Sequence, residues 1–490
     1  MKTSLLRKVR IILAAFFFVG ITLMFLDFTG TLHKWLGWMA KIQFFPALLA
    51  VNTIVIAGLL LLTILFGRIY CSIICPLGIM QDIISWINGK LKKKNLFRFR
   101  YKKEKKWFRL GVLAIFIVTL ALGSHSLALI IAPYSTYGRF VANLFEPIYK
   151  WGNNLLALIA ERMGSYAFYS AEVWIKSIPT FIIAAASFVI IFILAFKGGR
   201  SYCNSVCPVG TILSFFAKKS VFAPSIDKDK CKGCKLCGKK CKASCIDMEN
   251  HAIDYSRCVV CMDCIDTCKE GAIKYTYRYN SRRSQSKQGR RAFLAWSLLL
   301  SGSFAAKAGR SRFGLKGEQK VSDRTPLVPA GALSAKNFTD HCTACQLCIN
   351  ACPEQVLRPS DSISNLMQPE MRFDRGYCRI ECNKCSQTCP AGAIKPISVE
   401  DKSSIQIGHA VIDHSHCVVN TDNVRCIACS RNCPAGAIRL VAKNPEDENS
   451  LMIPTVNEER CIGCGACEHY CPAKPIKAIH VVGHQVHKTI

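Results

Sequence analysis

The chain has 490 residues, with 64 Lys and Arg against 32 Asp and Glu, a net charge of +32. Apolar residues make up 51% and the mean hydropathy is +0.22, too apolar for a disordered basic tail and too charged for a pure membrane bundle. The 29 cysteines crowd into short runs spaced like metal ligands, which excludes a small secreted disulfide scaffold and a simple soluble enzyme.

Four apolar segments approach or exceed the roughly 20 residues a helix needs to cross the hydrocarbon. In chain order they are 11–26, which extends past Asp27, then 44–66, 110–132, interrupted only by His125, and 177–196. The reading is a bundle of four transmembrane helices; buried core helices of a soluble protein are the alternative. The stretch Lys90 to Arg109 holds eleven basic residues and one acid, Glu104, and the N-terminus carries Lys2, Arg7, Lys8 and Arg10, whereas 124–176 is balanced. Lys and Arg favour inner loops, so both ends of the bundle are expected in the cytoplasm. These basic clusters flank membrane segments with no nucleic-acid motif beside them, so no nucleic-acid partner is expected.

An internal repeat follows the second and fourth segments: GRIYCSIICPLG around Cys71 and Cys75, and GRSYCNSVCPVG around Cys203 and Cys207. Both copies fall at the cytoplasmic surface, where four sulfurs can meet. They are read either as a further metal centre or a redox pair, or as thiols and prolines that shape a helix exit, since C-x3-C is not a ferredoxin spacing.

From Cys231 the chain reads CKGCKLCGKKC, and from Cys258 CVVCMDCIDTC. This is the C-x2-C-x2-C-x3-C spacing in which three thiolates wrap one [4Fe-4S] cluster and the fourth reaches its neighbour. Cys231, Cys234, Cys237 and Cys268 are therefore assigned to one cluster, and Cys258, Cys261, Cys264 and Cys241 to another. Neither Cys241 nor Cys268 precedes a proline, and Cys245 is an extra thiol with no assigned partner. Next comes GRRAFLAWSLLLSGSFAAKAG, in which Arg290-Arg291 precede 15 uncharged residues, 292–306. At about 22 Å of helix this is short of the bilayer. It reads as a twin-arginine export leader inside the chain, with an amphipathic or buried helix as the alternative.

Four further runs fill the last third. Cys342, Cys345, Cys348 and Cys352 keep the spacing, as do Cys461, Cys464, Cys467 and Cys471. Cys378, Cys382, Cys385 and Cys389 have a three-residue first gap, and Cys417, Cys426, Cys429 and Cys433 an eight-residue one. A cluster is read at each run, giving about six [4Fe-4S] clusters on 24 thiols; zinc knuckles are the weaker alternative. The expected division is a membrane domain over 1–222, a cytoplasmic two-cluster ferredoxin over 223–276, a linker with the leader over 277–309 and a four-cluster domain over 310–490. The fold class is thus an α-helical membrane bundle with two α+β ferredoxin-like domains.

On these motifs the front of the chain resembles the NapH-type membrane quinol dehydrogenase family, which is related to polyferredoxin membrane proteins of the nitrous-oxide regulator and cytochrome-oxidase accessory groups. The rest is similar to the NapG-type periplasmic polyferredoxin. The resemblance implies a multi-pass protein of the bacterial inner membrane with a periplasmic C-terminal domain. Such a protein takes electrons from the membrane quinone pool, with menaquinol or ubiquinol as substrate. It passes them along its clusters to a periplasmic terminal reductase, such as nitrate reductase, or to that enzyme's electron-carrier subunit. An accessory or regulatory polyferredoxin, and a conduit fed by a cytoplasmic donor, are the alternatives. Quinol oxidation releases protons, so His125 is taken as the catalytic candidate, with Asp27 and His33 as possible neighbours.

Overall fold

The computed structural model describes residues 5–27, 30–91, 99–123, 125–278, 325–446 and 450–490, with the backbone alone at 125–127. The leader at Arg290-Arg291 lies outside these residues. Two helices are long and apolar enough to cross a membrane, α1 (Leu5–Leu26) and α4 (Ile178–Gly198). The other two expected spans are broken. The segment 44–66 divides at Val51, whose φ of +54° ends the turn Phe44–Leu49 and lets α2 begin at Thr53 (Thr53–Phe66). The bond from the Asn52 N–H to the Ala47 carbonyl, 2.9 Å, closes that turn. The segment 110–132 becomes α3 (Lys106–Ala121), stopped by Gly123 at φ +78°, and a separate turn His125–Ile131. At 14 and 16 residues, α2 and α3 are each shorter than the roughly 20 residues of a full crossing.

The chain forms two compact units, and each joins helical pieces to a ferredoxin-type part. The first comprises Met1–Val19, Thr53–Thr136 and Ser187–Val321. Here the strand Phe222–Ile226 pairs antiparallel with Ile273–Tyr277 and closes the two-cluster ferredoxin. It is fastened to the helix ends at several points. The Val221 N–H donates to the Ile64 carbonyl (2.9 Å), Phe66 stacks on Phe222 at 5.9 Å, and the Arg200 N–H donates to the Lys242 carbonyl (2.9 Å). Near the start of α1, Arg7 pairs with Asp263 (3.0 Å) and Asp266 (2.8 Å).

The second unit comprises Gly20–Asn52, Tyr137–Ala186 and Ser322–Ile490. It holds two ferredoxin cores. One is built on Phe338, Ile349, Leu357 and Phe373 with the runs at 342–352 and 378–389; the other is built on Val419, Ile438 and Ile479 with the runs at 417–433 and 461–471. The antiparallel strands Ile405–Ile412 and Ile479–Thr489 flank the second. The cores rest on helical segments of the same unit. Asn350 Nδ2 donates to the Phe25 carbonyl (2.8 Å), Asn143 Nδ2 to Gln346 Oε1 (2.7 Å), and the Ser177 hydroxyl to Asp361 Oδ1 (2.6 Å).

Candidate metal centres

The four regular runs share one backbone device. The residues on either side of the second cysteine are both left-handed: Gly233 and Lys235, Val260 and Met262, Ala344 and Gln346, Gly463 and Gly465. Each pair turns the chain around its sulfurs, and the second member caps the short helix that carries the third cysteine. Val260, β-branched at φ +53°, adopts a conformation that such residues rarely hold without surrounding support. In the stretched runs the corresponding caps, Asn383 and Ile427, have φ of −119° and −126°. The longer first gap replaces the left-handed turn.

Around these turns the thiols gather across runs. Burial pushes Cys237 up to about 11, and the thiolates of Cys234, Cys231 and Cys268 push the same way. Burial, then Cys261, Cys258 and Cys241, does the same to Cys264. Cys245 lies 3.5 Å from the Cys241 sulfur and interacts with Cys258, so the spare thiol stands inside the second set.

In the second unit the thiols likewise gather across runs. Burial raises Cys348, and Cys342, Cys345 and Cys389 raise it further. Burial raises Cys385, followed by Cys378 and Cys352 and, more weakly, Cys382. Cys385 also acts on Cys348, and the fourth cysteine of each run thus stands beside thiols of the other. The final pair repeats the exchange: burial, then Cys464, Cys461 and Cys433, raises Cys467, while Cys429, at about 11 chiefly through burial, has Cys426 and Cys417 beside it. Cys471 completes the set with Cys429 by this pattern. The Cys378 N–H donates to the Cys464 carbonyl at 2.9 Å, so the two pairs of runs touch through ligand residues.

These residues fit [4Fe-4S] clusters. They supply four thiols per set, and N–H groups reach the sulfurs of Cys342 (from Ala344, 3.4 Å), Cys461 (Ala410, 3.4 Å) and Cys433 (Ala437, 3.3 Å), the kind of bond that tunes a cluster thiolate. A Cys352→Ser variant should accordingly disturb the cluster on Cys378, Cys382 and Cys385 and leave that on Cys342, Cys345 and Cys348 formed. Separate paramagnetic signals on stepwise reduction check this, and a reversed pattern would place each fourth cysteine with its own run.

Sequence reasoning left the C-x3-C-P repeat undecided. Its four sulfurs are buried neighbours. Burial raises Cys207 most, and Cys203, Cys75 and Cys71 each add to it. Each repeat clasps the other. Arg200 Nη1 donates to the Cys71 carbonyl (2.6 Å) and Arg68 Nη2 to the Cys203 carbonyl (3.1 Å). Gly78 and Gly210 make room: a Cβ on either would lie 2.4 Å from that same carbonyl and within 2.6 Å of that arginine. Arg200 is neutralised by Asp82 through two bonds of 2.8 Å. The repeat places Ser214 where symmetry would put a second Asp. Arg68, fully buried, has Asn204 Oδ1 at 2.8 Å, the Ser256 and Cys203 carbonyls and the Cys71 sulfur at 3.8 Å but, among the described residues, no carboxylate partner. Buried charge is ordinarily paired, and the thiolates of a bound cluster are the anions within reach. The repeated Gly-Arg and Cys-Pro-x-Gly signal this clasp in sequence.

Of the proposed proton acceptors, Asp27 and His33 do meet, with Asp27 Oδ2 3.5 Å from His33 Nδ1, and Asp27 also accepts the Gly30 and Leu32 N–H groups. His125 opens the turn His125–Ile131 in the other unit, and its side chain lies outside the described residues.

The 4Fe-4S binding domain profile matches residues 48–94 and 180–226, one match on each C-x3-C-P repeat, and the 4Fe-4S dicluster domain profile matches 341–393 and 424–474. The ferredoxin-type protein NapG of Escherichia coli (strain K12) is 30% identical over 199 residues, 39% of this chain and 84% of that protein. The chain belongs to the NapG family of ferredoxin-type proteins. The ferredoxin-type protein NapH of the same organism is 22% identical over 241 residues, 47% of this chain and 70% of that one. The methylamine utilization ferredoxin-type protein MauM of Methylobacillus flagellatus is 34% identical over 153 residues, 30% of this chain and 64% of its own length. No solved structure matches. The chain is thus a NapH/NapG-like polyferredoxin that binds [4Fe-4S] clusters and transfers electrons.

Proposed function

We propose that the chain is an inner-membrane quinol dehydrogenase component carrying six ferredoxin-type clusters, with a seventh on Cys71, Cys75, Cys203 and Cys207. It delivers electrons to a periplasmic reductase or its carrier subunit. What supports this reading is the Cys378–Cys464 backbone bond, which sets cysteines of successive runs side by side, together with the placing of each run's fourth cysteine beside the other run's thiols. When bound, each cluster takes up and passes on one electron. The chain's own groups hold the sulfurs, supply N–H donors to them and keep water from the enclosed sets. Crossings by α1 and α4 are proposed on their exposed apolar faces, Ile12 and Ile182 among them.

The periplasmic placement of the C-terminal domain is supported by its packing on Gly20–Asn52 and Tyr137–Ala186, the connections that the Lys/Arg bias assigns outside. An alkaline phosphatase fusion at Ile490 should be active, and Arg290→Lys with Arg291→Lys should abolish that activity. An inactive fusion with an active cytoplasmic reporter would favour a conduit fed from inside. Reduction of the clusters by quinol in anaerobic membranes, followed by paramagnetic resonance, tests the quinol reading itself.

A further inference from the structure

The second unit has an open cavity of about 360 Å³ walled by Glu146, Lys150, Trp174, Lys176, Asn350 and Cys352, within the size range of small-molecule sites. Its charged groups are buried and mutually fixed. Glu146 is 3% exposed, with Lys150 Nζ at 2.8 Å from one carboxylate oxygen and Lys176 Nζ at 2.5 Å from the other; Lys176 also reaches Asn350 Oδ1 at 2.6 Å. Burial would raise the Glu146 carboxyl, but the two lysines outweigh it and keep it ionised. Cys352 also lines the cavity, with Cys378, Cys382 and Cys385 as its thiol neighbours.

The helix Glu146–Arg162 has two faces. Glu146, Lys150, Asn154 and Ala157 follow helical spacing on the inner side, where Asn154 clasps the backbone of Ala171 at 2.9 and 2.7 Å. On the other side Ile148, Trp151, Leu155 and Ile159 form an exposed apolar stripe, 46–67% accessible. A helix of this kind lies in the plane of a membrane interface. A ligand in the cavity meets a carboxylate, two ammonium groups and a cysteine of a ferredoxin run together.

We propose that this cavity binds the quinol headgroup, an inference that rests on the quinol reading above and moves the site away from His125. Glu146 accepts a quinol O–H, and Lys150 and Lys176 donate to the oxygens as they gain negative charge. Oxidation breaks two O–H bonds. The two protons pass in turn to the Glu146 carboxylate and through the open side to water, and the two electrons each reduce one oxidised [4Fe-4S] cluster, leaving quinone.

The test uses the full-length chain, reconstituted anaerobically in membranes, with an azido-quinone photolabel and the quinol analogue 2-heptyl-4-hydroxyquinoline N-oxide. Labelled peptides should fall within 146–176 and 349–357. Lys176→Met should weaken analogue binding by about ten-fold or more, and so should Ser170→Trp, which fills the cavity from an exposed rim and leaves the buried ion pairs intact. Cluster spectra should stay unchanged in both. Labelling at other peptides, or unchanged binding in Ser170→Trp, overturns this site while quinol-driven reduction upholds the quinol reading. Absence of both labelling and quinol-driven reduction in the unaltered chain overturns the two together.

Discussion

Cys71→Ser combined with Cys203→Ser should lower the iron of anaerobically reconstituted protein from about 28 to about 24 atoms per chain, the loss of one four-iron cluster among seven. The expectation rests on an unbalanced charge. Arg68 is sealed in with only neutral acceptors and sulfur, while Gln81 Nε2 lies 3.2 Å from the Cys203 sulfur and the Gly210 N–H 3.3 Å from that of Cys207. The thiols of Cys75, Cys203 and Cys207, raised by burial and by neighbouring sulfurs, would leave this cation uncompensated, whereas iron-bound thiolates compensate it. Acid-labile sulfide should fall in step. Unchanged iron and sulfide would mean that these cysteines only shape the helix exits.

Asp82→Ala should cost about 3–5 kcal/mol, because removing one partner of a buried ion pair leaves the other charge stranded. Asp82 is 8% exposed and is the carboxylate shared by Arg200, Arg10 at 3.1 Å and Lys242 at 3.6 Å. Burial alone would raise its carboxyl, but Arg200, Lys242 and Arg10 hold it well below the usual carboxylate range. The stabilisation is therefore complete above the unfolded carboxylate value of about 4. It is lost only as pH falls through the lower, folded value. Thermal unfolding in detergent at neutral pH should show a much earlier transition for the variant, and equal midpoints would remove the clasp from the stability of this unit.

The four regular cysteine runs were legible because C-x2-C-x2-C needs a tight left-handed turn, and the chain satisfies it four times, even with Val260. The partners of the fourth cysteines in the C-terminal runs were not. Exchange between runs is a matter of packing, and the stretched gaps before Cys382 and Cys426 hid the pairing. Spans fared unevenly: hydropathy marked α1 and α4, but an apolar count does not register the backbone reversals at Val51 and Gly123. The Glu146–Lys150–Lys176 group was invisible because its members are 26 residues apart at the nearest between helix and loop, in a stretch whose charges look merely balanced. Arg68 and Arg200 stood in plain view inside the repeat, yet only the folded chain shows that each serves the opposite copy.

The exchange of fourth cysteines also bears on the order in which this molecule is assembled. A cluster that ties Cys345 to Cys389 closes a chain loop of more than forty residues, and closing such a loop takes conformational freedom mainly from the unfolded ensemble. Iron insertion and folding of each pair of runs are then one event. An empty chain would lack the staples that join its halves, and a single missing cluster would loosen two runs instead of one. Any apparatus that carries only folded cargo across the membrane would thereby inspect metal content without touching the metal.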